Sequence, residues 1–105
     1  MEDEPASIER QIAAEKAAAV GRSGRKLRVA LDNLRRFDEG VRRGGRTTDP
    51  VARAKLVEIA GDAFWSYVVQ REALGLVDSE YIGREYGVPP EVWRVMRPRL
   101  RRYQG

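Results

Sequence analysis

Residues 51–76 constrain what this chain can fold into more than any other stretch. They follow Asp49-Pro50, an N-cap acceptor and the residue whose fixed φ suits the first helical position, and they run to Gly75, the usual left-handed stop. Between those marks the sequence predicts one helix of about seven turns. Ala63, Phe64, Trp65, Tyr67, Val68 and Val69 point all round its axis, so no face can stay in water at that level. The expectation is a central core helix enclosed on every side.

The chain has 105 residues, enough for one small domain. It contains no histidine and no cysteine, which excludes zinc fingers, thiol nucleophiles, imidazole bases and disulfide frameworks. Catalysis would have to rest on carboxylate or lysine, without its commonest proton-transfer group, so a non-enzymatic role is expected, with no cofactor and no metal. No apolar run is long enough for a signal peptide or a membrane span. A cytoplasmic protein without membrane partners is the corresponding expectation. The net charge of +4 comes mostly from arginine and favours an anionic partner in bulk, although Ala, Arg, Gly and Val also accumulate under GC-rich codon usage.

Residues 1–6 read as a disordered N-terminus, after which Ser7 can cap a helix beginning at Ile8. Almost every residue from there to Arg42 is a helix former. Gly21 and Gly24 together cost about 2 kcal/mol relative to alanine and could split the element. Against a split, Ala13, Ala17, Val20, Gly24, Leu27, Leu31, Leu34 and Val41 keep one heptad register in which only Asp38 is out of place. The register favours a continuous helix, with Ala17, Ala18, Gly21 and Gly24 as sites of close helix approach. Such a helix would be roughly 50 Å long, beyond the diameter of a compact domain of this mass. Part of its seam would then lack cover within one chain, and the expectation is self-association, most simply as a twofold dimer. Beside the seam, Arg28, Arg35 and Arg42 recur every seven residues and Arg22, Arg36 and Arg43 lie one position further round. That stripe reads either as a phosphate-tracking surface or as charge flanking a helix seam, and the second is the commoner arrangement.

Residues 43–50 read as a loop; their Gly44-Gly45 pair lacks the spacing of a phosphate cradle. In the central helix Arg71 falls on the apolar stripe of Phe64, Val68 and Leu74 and needs a carboxylate; Asp62, Asp78, Glu80 and Glu85 are available, and one of the three beyond Gly75 is expected. A structural role there predicts that Arg71→Ala lowers stability by a few kcal/mol. Leu76 and Val77 should fold back in a Schellman-like stop. Asp78 or Ser79 should cap a short helix ending at Gly87, and Pro89-Pro90 should open a last helix that Pro98 ends or bends after about two turns, leaving 98–105 as a basic tail.

Residues 81–96 resemble the helix-turn-helix of DNA-binding proteins, with Ile82, Gly83, Tyr86, Gly87, Val88, Trp93 and Met96 at the packing and turn positions. Arg94, Arg97, Arg99, Arg101 and Arg102 would contact phosphates. Trp93 stands where a small branched residue is usual, Pro98 would cut the reading helix short, Asp78, Glu80, Glu85 and Glu91 would repel phosphate, and the second helix offers no Asn or Gln for base contacts. A second resemblance spans about residues 12–96. Residues 69–76, followed by Asp78 and residues 86–92, are similar to a family of small bacterial all-helical proteins of unknown function. That resemblance implies no activity, cofactor or catalytic residue. It implies that Arg71, Glu72, Gly75, Asp78, Tyr86 and Pro89 belong to one corner of the fold, beside Trp65.

The sequence thus predicts an all-α protein. A long N-terminal helix packs antiparallel to a central helix, and two short C-terminal helices fold over it, residues 7–97 forming one domain. The expected role is a self-associating protein-interaction module. The alternative is a DNA binder using residues 80–97 and the basic tail.

Overall fold

The computed structural model describes residues 4–45, 48–76 and 78–104, with side chains from Ser7 onward. Four helices follow one another: α1 Glu4–Arg42, α2 Pro50–Glu72, α3 Ser79–Tyr86 and α4 Pro90–Gln104. No strand occurs among the described residues. Helix α1 is one uninterrupted element of 39 residues through Gly21 and Gly24, about 58 Å at 1.5 Å per residue, and it sets the 65 Å long dimension of the molecule. It begins at Glu4, one turn before the predicted Ser7 cap. Pro5 is compatible with that start, because the first helical N–H groups have no intrahelical acceptor to lose. Of residues 1–6, expected to be a disordered N-terminus, 4–6 are helical and 1–3 lie outside the described residues.

Helix α2 packs antiparallel on α1. Its first turn meets the end of α1 through Arg53 and Asp38, and Tyr67 near its other end lies against Gly24. The core is built by Leu27, Leu31 and Leu34 from α1, Phe64 and Val68 from α2, and Val92 and Met96 from α4. Phe64 is fully enclosed, and every residue from Ala63 to Val69 is buried or half-buried, as the all-round apolar pattern requires. Burying Phe64 and Val68 contributes about 1.5–3 kcal/mol each before chain entropy is counted.

Each end of α2 carries its predicted signal. The Asp49 carboxylate accepts the Ala52 N–H at 3.1 Å, with Pro50 at the first helical position. At the other end Gly75 adopts φ +80°, while the Leu76 N–H reaches the Arg71 carbonyl and the Gly75 N–H that of Glu72. This is the predicted Schellman stop. Val77, also assigned to that stop, lies outside the described residues. Helix α3 ends in the same motif at Gly87, φ +63°, which turns the buried Val88 inward.

The last helix corrects the sequence reading. Pro98 neither ends α4 nor frees a tail, and the helix continues to Gln104. Contacts with α2 outweigh the hydrogen bond that proline cannot donate. Arg99 pairs with Asp62 and Glu58, Leu100 packs against the core, Tyr103 meets Trp65 edge-on at 6.3 Å and Gln104 reaches Glu72 at 3.4 Å. Gly61 makes the crossing possible. A Cβ there would come within 2.7 Å of the Val95 Cβ.

Candidate functional site

The heptad seam of α1 divides into two halves. From Gly24 to Phe37 its inward residues are buried against α2 and α4; from Ser7 to Ala18 every residue is exposed. Ala13 and Ala17, the first two predicted seam positions, therefore touch no second helix. The same half carries Ile8 and Ile12, 52% and 47% exposed and one turn apart. Further along α1, Val29 is 56% exposed across from Ile59 of α2, at 49%. These two line an open groove of about 610 Å³ between α1 and α2, together with Arg22, Lys26, Ala30 and Ala63. Isolated apolar residues on a surface are ordinary, but here they recur along one edge of one helix.

Asp38, the residue that breaks the heptad, has a specific partner. Its carboxylate accepts two hydrogen bonds from Arg53, at 2.8 and 3.0 Å, and the same guanidinium donates to Glu91 at 2.9 Å. One side chain thereby ties α1, α2 and α4. The hydrogen bond from Arg53 holds the Asp38 carboxyl below the usual carboxylate range, against the opposing effect of partial burial. Sequence reasoning missed Arg53. The one available signal was Asp38 itself, a charge at a seam position that had to find a cation.

Arg71 finds Asp78, one of the three carboxylates predicted, through bonds of 3.3 and 3.0 Å. Asp78 occupies the N-cap position of α3 but makes no capping bond, because its oxygens face Arg71. The guanidinium also lies 5.7 Å from the Tyr67 ring. Tyr67 packs edge-on against Tyr86 at 5.5 Å, and Arg28 of α1 sits 4.7 Å over Tyr86. Burial, then the neighbouring Tyr67 hydroxyl, raises the Tyr86 phenol above its ordinary value. Gly24 leaves room for the two rings, since a Cβ there would meet both at 3.2 Å. Gly75 stands at the turn between Arg71 and Asp78, and Pro89 accepts the Val92 and Trp93 N–H groups at the start of α4. Trp65 and Glu72 belong instead with Tyr103 and Gln104 on the far part of α4.

The predicted phosphate-binding arginines also separate. Arg99 faces α2 and is taken up by Asp62 and Glu58, and Arg97 lies 4.6 Å over the Trp93 ring and within 3.7 Å of Glu80. Arg94, Arg101 and Arg102 are exposed and form no ion pair with a described residue. Arg94, Arg97 and Arg101 share the outer face of α4 by helical spacing. The carboxylates expected to repel phosphate are largely engaged: Asp78 by Arg71, Glu91 by Arg53 and Glu80 by Arg97. Trp93 fits because Gly83 has no side chain. A Cβ at Gly83 would come within 2.9 Å of the indole Cε2. On α1, Arg35 pairs with Asp32, Arg42 and Arg43 with Glu39, and Arg36 bonds Asn33 at 2.7 Å, so much of the arginine stripe is answered within its own helix.

Among the described residues no group of carboxylates is arranged to hold a metal ion, and no helix is long and apolar enough to cross a membrane. Compared with protein-family models, curated proteins and solved structures, the chain matches none.

Proposed function

We propose that this protein is a helical interaction module that self-associates through α1. The observation that carries this reading is the uncovered N-terminal half of that helix, where Ile8 and Ile12 stand in water with no second helix beside them. The uncovered stretch, residues 7–18, is short enough that helix propensity alone leaves it marginal in water, and an apolar edge gives it a reason to find cover. The groove beside Val29 and Ile59 offers apolar area of the same kind on the same molecule.

Less supports a nucleic-acid role. Of the five arginines of α4, Arg97 and Arg99 are engaged with carboxylates of their own chain, which lowers the charge left for phosphate.

Sedimentation equilibrium from 1 to about 100 μM tests the proposal, a range chosen to span the usual affinities of transient helix pairs. A dimer is expected, and Ile8→Ser with Ile12→Ser should weaken it at least tenfold while leaving the circular dichroism of the monomer nearly unchanged. A wild-type chain that stays monomeric throughout would overturn it. Retention on heparin that falls steeply with salt and is lost in an Arg94→Ser, Arg101→Ser variant would point to nucleic acid instead.

A further inference from the structure

Resting on that reading, we infer that the partner is a second copy bound antiparallel, each copy laying the first third of its α1 into the α1–α2 groove of the other. One stripe of α1 carries this pairing. Ile8, Ile12, Glu15, Ala19, Arg22, Lys26 and Val29 follow steps of four and three, so they share one edge of the helix. All but the half-buried Ala19 are exposed. Glu15, Arg22 and Lys26 make no ion pair with a described residue, unlike Asp32, Glu39 and Arg35 further along.

That stripe is nearly a palindrome in chemical character. A single twofold axis between Ala18 and Ala19 sets Ile8 against Val29 of the second copy and Glu15 against Arg22, brings Ile12 within one residue of Lys26 so that it lies along that aliphatic stem, and brings Ala19 within one residue of its own copy. Apolar meets apolar, anion meets cation, and the smallest side chain falls where the two helices cross. Parallel pairing in register would put Glu15 on Glu15, Arg22 on Arg22 and Lys26 on Lys26, which repel. Arg22, Lys26 and Val29 are also walls of the groove, so the antiparallel arrangement brings Ile8 to the open gap between Val29 and Ile59. The result is a bundle of four helices at its centre, two from each copy, in which the apolar edge of each overhang is covered by the other.

The absence of cysteine makes site-directed spin labelling direct. Labels at Arg10→Cys and, separately, Ala17→Cys lie on the side of α1 away from the stripe. At 1.5 Å per residue, antiparallel pairing offsets the two Arg10 labels by about 25 Å along the axis and the two Ala17 labels by about 5 Å. Pulsed dipolar EPR should therefore give a clearly longer distance at residue 10 than at residue 17. Equal distances at both positions in a chain that sediments as a dimer would overturn the antiparallel pairing and leave self-association standing. A chain that never dimerises overturns both. Charge exchange adds a second readout: Glu15→Arg should weaken the dimer about tenfold, and adding Arg22→Glu should return it to within about twofold of wild type. Failure of the double exchange to restore the dimer would equally reject the pairing, because in a parallel dimer it leaves like charges opposed.

Discussion

Helix α2 and the first half of α1 are both regular α-helix, but different causes hold them. Residues 63–69 of α2 are all buried or half-buried, and capping fixes where that helix begins and ends. Residues 7–18 of α1 have no neighbour and consist largely of alanine, glutamate, lysine and glutamine, residues that lose little on entering a helix. Packing holds the first region and local propensity the second. A helix assignment alone therefore does not reveal which parts of a chain are structurally committed.

Substitutions can break that contrast in a graded way. Phe64→Ala should have the largest effect, lowering unfolding free energy by about 3–5 kcal/mol in urea titration, since a fully enclosed ring leaves a cavity among α1, α2 and α4. A loss under 1 kcal/mol would mean that α2 is not the packing centre. Arg53→Ala should follow with about 1–2 kcal/mol, reduced from the value for a buried pair because Asp38 and Glu91 are partly exposed. Its pH dependence sharpens the assignment. Asp38 has a lowered pKa in the folded chain, so its stabilisation is full above about pH 4 and is lost as pH falls through the folded value. Between pH 5 and 2, Arg53→Ala should lose less stability than wild type; parallel curves would remove Asp38 as the cause. Ala14→Gly should have the smallest global effect. It disfavours the local helix by about 1 kcal/mol, yet thermal unfolding of the monomer should not move, while amide exchange around residue 14 quickens. A shift of several degrees in melting temperature, at concentrations where the chain is monomeric, would show that the overhang packs within its own chain.

How much of this was legible in the sequence depended on how far apart the partners are. Asp49-Pro50 and Gly75 act within a turn of themselves, so the ends of α2 could be read directly. Continuity through Gly21 and Gly24 could be read because the heptad phase survived the glycines. Arg71 lies seven residues from Asp78, close enough across a tight turn for the right group of carboxylates to be named. Arg53 is different, with partners 15 and 38 residues away on other helices, and no local pattern announces it. Pro98 misled for the same reason. Its local signal is to stop a helix, and the contacts that overrule it come from Asp62, Trp65 and Glu72, more than two dozen residues earlier. Arg71 is held less tightly than a fully buried charge would be. Among the described residues no buried one is charged, and Arg71 keeps some access to water, so the few kcal/mol expected from full burial falls to about 1–2 kcal/mol.

Arg53 joins two carboxylates that lie on either side of it in sequence, Asp38 on α1 and Glu91 on α4. Without α4 in place that guanidinium is only half answered. The Glu91 bond forms only when α4 docks, so the turn joining α1 to α2 is braced by a helix that follows it in sequence.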